Sequence, residues 1–170
     1  MKIRPARDSD AAAIAAIVLE GDATFGDFAP PGWTPPAFEV ELHHARDAVA
    51  SPHRWIAVAV VGDEVVGYTT FVAARLTRVS SDEPGLAHLG RLFVRPAHWG
   101  TGVATALNAA AVAAASAHGY CQMRLFTPTG HARARRFYER EGWRAVAELP
   151  ESELGLPLTE YRRALGSRRR

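Results

Sequence analysis

Apolar positions in this chain recur at two-residue spacing in some stretches and at three-to-four-residue spacing in others, and the changes of period mark its elements. Met1–Ala6 alternates basic and apolar residues and predicts a short edge strand, where Pro5 is tolerated. Asp8, Ser9 and Asp10 offer capping oxygens before Ile14, Ile17 and Val18, which share a helical face. Glu20 and Gly21 are expected to close that helix. A second helix is predicted over Phe38–Val49. Arg54–Val61 and Val65–Ala74 are β-rich runs meeting at Gly62-Asp63, a hairpin signal, and Gly67 marks a bulge or a close backbone approach. A polar connection over residues 75–87 leads to a strand whose apolar run is Leu89, Leu92, Phe93 and Val94, ended by Pro96.

The next helix places Val103, Leu107 and Ala111, then Ala110, Ala114 and Ala117, at helical spacing, and His118-Gly119 stops it. Gln122–Phe126 predicts a strand. His131–Glu141 predicts a helix with Ala134, Phe137, Tyr138 and Glu141 on one face, ended by Gly142. Trp143–Leu149 and Leu158–Leu165 are the last two strands expected. Residues 22–36 are rich in Pro and Gly and carry Phe25, Phe28 and Trp33. These rings either pack a lid onto the core or wall a substrate pocket.

Composition adds mostly exclusions. The length of 170 residues suits one domain, taken as residues 1–166 with a basic tail at 167–170. Lys+Arg 20 against Asp+Glu 18 leaves +2, too little to argue for nucleic acid. The single cysteine, Cys121, excludes an internal disulfide framework and is expected to be a small buried hydrophobe. No apolar run is long enough to span a bilayer, so no membrane partner is expected, and MKIRPARDSD lacks the apolar segment of a secretory signal. A cytoplasmic enzyme or binding protein is the expectation. His43 and His44 are adjacent and point to different helix faces, so no metal site is expected.

The candidate chemistry lies where the central strand gives way to the central helix. Trp99-Gly100-Thr101-Gly102-Val103-Ala104 is a loop of mostly small residues opening a helix. The first turn of a helix has amides without internal partners and a dipole that favours negative charge, so such a loop is an anion site. A Walker loop would need Lys and Ser or Thr after its last glycine, and Val103 stands there. A dinucleotide loop would need a small residue at Thr105 and an acid about twenty positions on, and both are missing.

The loop resembles the pyrophosphate-binding signature of the GNAT superfamily of N-acetyltransferases, Arg/Gln-x-x-Gly-x-Gly/Ala. Gly102 and Ala104 match it, while Trp99 departs from its Arg or Gln. RRFYEREGW, from Arg135 to Trp143, resembles the C-terminal cofactor-binding segment of the same family. Ala134, Phe137 and Tyr138 match there, and His131 stands in for the usual Asn. With two motifs in the right order, the chain is identified as a member of this superfamily.

The resemblance implies an α/β (α+β) fold: a mixed, mostly antiparallel sheet of six to seven strands flanked by about four helices, with splayed parallel central strands. It implies acetyl-CoA as cofactor. Backbone groups of Leu92, Phe93 and Val94 would meet its pantetheine arm and thioester carbonyl, and amides from Trp99 to Ala104 (Gly100, Thr101, Gly102 and Val103 among them) its pyrophosphate. Tyr138 would be the acid for the leaving thiolate. The acceptor would be a small-molecule amine or an exposed amino group; a homodimer is left open. The family often has a Glu on the strand before the loop, and Ala87–Val94 offers only His88 for that base. Glu20, Asp82 and Glu83 are weaker candidates, and Arg133, Arg135, Arg136 and Arg140 could meet cofactor phosphates. A non-catalytic acyl-CoA-binding regulatory module is the competing expectation.

Overall fold

The β-branched runs form one seven-stranded sheet, and the helical segments cover both of its faces. The structure is a computed structural model describing residues 1–150 and 155–166; the tail expected at 167–170 lies outside the described residues. In chain order the elements are β1 Lys2–Pro5, α1 Ala11–Asp22, α2 Phe38–Ala50, β2 Arg54–Val61, β3 Glu64–Ala73, β4 Leu86–Val94, α3 Val103–Ala117, β5 Gln122–Pro128, α4 Ala132–Arg140, β6 Arg144–Leu149 and β7 Leu158–Ala164. The strand order is β1-β2-β3-β4-β5-β7-β6, so β1 is an edge, as Pro5 requires.

All neighbouring strands are antiparallel except β4 and β5, which run parallel and pair only over Leu86–His88 and Gln122–Arg124. Beyond His88 the two strands separate. That separation is what positions the site.

One face of the sheet carries α1 and α2, with Ile14, Ile17, Val18 and Ala45 packed on Ile56, Val58 and Tyr68. The other face carries α3, whose Val103 and Leu107 pack on Ala59, Val66 and Val94. Ala111 and Ala115 continue that stripe onto Phe71, Leu89, Met123, Trp143 and Tyr161. The Ala-rich stripe lets α3 lie close to the sheet, and the buried Trp143 Nε1 donates to Asn108 Oδ1 at 3.0 Å. Strands β2 and β3 are covered on both faces, which explains their near-continuous apolar runs.

Several local expectations change. Gly21 does not end α1, which runs on to Asp22 and buries Gly21. A Cβ there would stand 2.5 Å from Cδ1 of Phe93, so the glycine serves helix-to-strand packing, not termination. Strand β4 begins at Leu86 and takes the end of the expected polar connection, whose start is a 3-10 turn at Ala74–Leu76. His88 therefore lies within a strand. Gly67 serves both expected purposes: the β2–β3 register shifts beside it, and a Cβ would come 2.9 Å from the Phe93 carbonyl oxygen. Asp10 does not cap α1 with its side chain; its carboxylate takes both Arg4 guanidinium nitrogens, at 2.6 and 2.8 Å, and the Arg7 amide. Cys121 is exposed, not buried, because it precedes the first paired residue of β5 at the sheet's end.

Candidate functional site

Two register features build the site. The first is the end of β4–β5 pairing at His88 and Arg124. The second is a bulge in β4: Leu89 pairs with Phe71 and Arg91 with Thr70, leaving Gly90 as the extra residue. The bulge shifts the alternation of β4. Leu89 faces the α3 side before it, whereas Leu92 and Val94 face that side after it. A cleft of about 850 Å³ follows, running between the separated strands and reaching the start of α3 and one face of α4.

At one end of the cleft the walls are the loop before α3 and the α4 surface. Trp99, Gly100, Gly102, Ala104 and Thr105 line it, while the side chains of Thr101 and Val103 do not. Thr101 Oγ1 bonds the His98 carbonyl, and Val103 is buried in the core. Gly100 and Gly102 have φ of +77° and +87°, a region only glycine enters cheaply, and open space lies where either Cβ would be. α3 starts with no side-chain cap, so its first amides are left to an incoming anion. Trp99 donates its indole N–H to the Val94 carbonyl at 2.8 Å, tying the loop back to β4. The Arg133 guanidinium stacks over its ring, 3.3 Å from the centroid, and restores a cation beside the position where the signature prefers Arg or Gln. Arg136 and Arg140 also line the cleft; Arg135 turns away to the Tyr161 hydroxyl and the Thr129 carbonyl. This loop fits a pyrophosphate.

In the middle, Leu92, Phe93 and Val94 form one wall and Ala134, Phe137 and Tyr138 the other. Tyr138 packs edge-on to Trp143, and its hydroxyl makes no hydrogen bond to any described residue. Burial raises its pKa well above the ordinary phenol value, so it stays protonated.

The far end holds His88, Gly90, Arg91, Phe126 and Phe25. His88 Nδ1 is buried without a partner among the described residues, and its ring lies 5.5 Å from that of Phe126. Burial, then Arg124 and Arg54, pushes its pKa down to about 4, so the imidazole is neutral near pH 7. Arg91 is held by the buried Glu41 of α2 at 2.8 Å. Of the aromatic loop, Phe25 lines the cleft, and His131, also in the lining, stacks on Phe28 with centroids 4.6 Å apart. Trp33 backs Phe25 at 5.8 Å and does not reach the cleft.

The weaker candidates for a base lie elsewhere. Glu20 is paired with Arg95, Glu83 is paired with Arg162 at 2.6 Å, and Asp82 lines a separate small cavity. Sequence reading missed Asp22, at the end of α1 beside the cleft residues Gly21 and Thr24. Burial raises its carboxyl to about 6, with Arg91 pulling down and Glu41 pushing up. It also missed Gly90 and Arg91, although a glycine inside the β4 run was a signal for a bulge. Among the described residues no group of His, Cys, Asp and Glu could hold a metal, and no helix is long and apolar enough to cross a membrane.

The same architecture occurs in known proteins. A GNAT-family protein from Desulfovibrio desulfuricans superposes with a TM-score of 0.77 at 22% identity, over 97% of this chain and 99% of that one. A ribosomal-protein-alanine N-acetyltransferase from Brucella melitensis gives 0.76 at 21%, over 97% and 100%. The yncA protein of Salmonella typhimurium, solved with its cofactor acetyl-CoA, gives 0.76 at 21%, over 100% and 96%. No curated protein matches the chain by sequence. The family model described as "Acetyltransferase (GNAT) family" matches residues 22–143, which span β2 to β5, the glycine loop and α4. The chain belongs to the GNAT family of acetyltransferases.

Proposed function

We propose that the protein is an acetyl-CoA-dependent N-acetyltransferase that acts by direct transfer, with cofactor and a primary amine held together in one complex. The observation that carries this reading is the parallel β4–β5 pair that stops at His88 and opens onto a loop with two left-handed glycines and an uncapped helix start. Acetyl-CoA, when bound, supplies an acyl group already activated as a thioester.

The chain's own residues supply position, charge and proton handling. Amides from Gly100 to Ala104 hold the pyrophosphate, with Arg133, Arg136 and Arg140 adding positive charge. Backbone groups of Leu92, Phe93 and Val94, which line the cleft, would orient the arm and supply fixed donors that stabilise negative charge developing on the carbonyl oxygen. Holding both reactants in the cleft replaces a chance encounter with an oriented one. His88, neutral and facing the cleft, takes the amine's proton directly or through a water. Tyr138 arrives protonated and gives its proton to the departing thiolate.

The test is thiol release from acetyl-CoA with a panel of primary amines, with each acetylated product identified by mass. Release that depends on a particular amine supports the reading. Tight CoA binding with no turnover of any amine would replace it with a regulatory acyl-CoA-binding module.

A further inference from the structure

Four of the chain's partly buried arginines are matched to acids. Arg4 meets Asp10, Arg91 meets Glu41, Arg95 meets Glu20 and Glu64, and Arg162 meets Glu83 and Glu160. Arg54, at the start of β2, breaks this pattern. It is partly buried, yet no hydrogen bond or ion pair holds its guanidinium among the described residues.

The sheet register shows where Arg54 sits. Arg54 pairs with Val72, Val72 with His88 and His88 with Arg124, so these four occupy one row. Residues directly opposite one another on paired strands share a face. Arg54 therefore lies on the same side of the sheet as His88, the cleft residue at the point where β4 and β5 part. Its Nη1 lies 3.7 Å from where a Cβ on Gly90 would stand, and Gly90 is an exposed lining residue of the cleft. Arg54 does not itself line the cleft; Gly90, which does, is the lining residue beside its guanidinium, and a side chain there would stand between the two. Arg124, in the same row, adds a second positive charge, with its buried Nε unpartnered. The acids around this corner are committed elsewhere: Glu41 to Arg91, and Glu83 and Glu160, which act on Arg124, to Arg162; among the described residues none lies in ion-pair distance of Arg54. Leaving a guanidinium half-buried and unpaired costs free energy, and such groups are retained where a ligand completes them.

We infer that Arg54 binds a carboxylate of the acceptor, so that the substrate is a free amino acid and not a simple amine or a polyamine. This rests on the proposed acetyl transfer, because the acceptor's amine must lie beside Leu92 and Phe93. Gly90 precedes Leu92 by two residues, about 7 Å along a strand, so only a few bonds separate acid from amine. The Phe126 and Phe25 rings line the same end and favour an apolar side chain.

Equilibrium binding to the CoA-loaded protein tests this apart from turnover. Leucine and phenylalanine would be compared with leucinamide and phenylalaninamide by calorimetry, on the parent, Arg54→Gln and Arg54→Lys. A charge-assisted pair predicts that each acid binds about ten- to a hundredfold tighter than its amide. Arg54→Gln should erase that preference and Arg54→Lys should keep part of it, with CoA affinity unchanged in both as a check on folding. Acid and amide binding alike, no binding of either acid, or a preference that survives in Arg54→Gln would each overturn the assignment. Thiol release in the same samples reports separately on acetyl transfer: turnover of amides as fast as acids sinks the acid preference and leaves the enzyme reading standing.

Discussion

The two ends of the cleft are built by different means. The glycine-loop end is made largely of main chain: amides at the start of α3, freed by Gly100 and Gly102 at positive φ. Its loop lies within the seven residues from Trp99 to Thr105, faced by α4 from thirty residues on. The far end is lined by side chains from distant elements, Phe25 after α1, His88 and Arg91 from β4 and Phe126 from β5, with Glu41 of α2 held on Arg91 behind them. A backbone site depends on conformation and tolerates many side chains around it. A side-chain site depends on pairing, on register, and on which charges are left over. The first kind fits a constant cofactor, and the second, in the proposed transfer, is where one acceptor would be told from another.

The largest effect is therefore expected from a change that fills the backbone end. Gly102→Glu places bulk and negative charge in the open space before the α3 amides. CoA affinity should fall more than about a hundredfold, through lost amide contacts and like charge. The fold should survive, with a loss of about 1–2 kcal/mol for forcing a side chain to positive φ at an exposed position. Calorimetry on a folded variant that still binds CoA as tightly as the parent would remove the loop from the cofactor site.

Between the two ends stands Tyr138, and its loss should be felt in rate alone. Tyr138→Phe keeps the ring against Trp143 and removes a hydroxyl that has no partner among the described residues. General acid catalysis contributes about 10²–10⁴-fold, so kcat should fall within that range with CoA affinity unchanged. Parental turnover in the Phe variant, with the chemical step shown to limit, would return Tyr138 to packing.

The same contrast explains what the sequence revealed. The loop and the Phe137-Tyr138 helix were legible because each motif lies within one short stretch, and local period and glycine placement dictate local structure. The strands and helices were legible for the same reason, apart from the start of β4 and the end of α1. Gly21 read as a helix stop because its packing partner, Phe93, lies seventy-two positions on and no local rule records that approach. Arg54 read as the first residue of a strand; only the register that sets it in a row with His88 gives it a role. The environment of His88 is likewise set by residues that no local pattern joins to it. Burial comes first and Arg124 and Arg54 next, and together they move its pKa to about 4. A pH limb of activity due to His88 should thus lie near pH 4, not near 6.5.

A substitution in α1 links the two ends with a smaller cost. Gly21→Ala sets a methyl 2.5 Å from the Phe93 ring, which must shift, and Phe93 is flanked by the Leu92 and Val94 wall of the cleft. Overpacking costs about 1–3 kcal/mol, while Ala is the better helix former by up to about 1 kcal/mol. A net loss of about 1–2 kcal/mol is expected in denaturant melts, with weaker CoA binding. A variant of parental stability and affinity would show that α1 does not hold β4 in place.

The smallest expected effect belongs to Asp22, and it has an unusual sign. Burial raises its carboxyl from 3.8 to about 6, with Arg91 lowering it and Glu41 raising it. The folded protein therefore holds this proton up to about pH 6, while the unfolded chain releases it near pH 4. Below pH 4 both states are protonated and Asp22 has no effect on stability. From pH 4 to 6 the unfolded state alone ionises, so stability falls as pH rises; above 6 the penalty is constant. Asp10 and Glu41, whose pKa values are lowered, act in the opposite sense, losing stability as pH falls, so total stability hides the Asp22 contribution. The difference between the parent and Asp22→Asn isolates it. That variant should match the parent near pH 4 and exceed it by about 1 kcal/mol at pH 7, once partial solvent screening is allowed for. Urea melts at half-unit steps from pH 4 to 7.5 would show this growing gap. A gap that is flat with pH would mean that Asp22 ionises like an ordinary surface acid, and would leave His88 and the three arginines as the whole chemistry of the acceptor end.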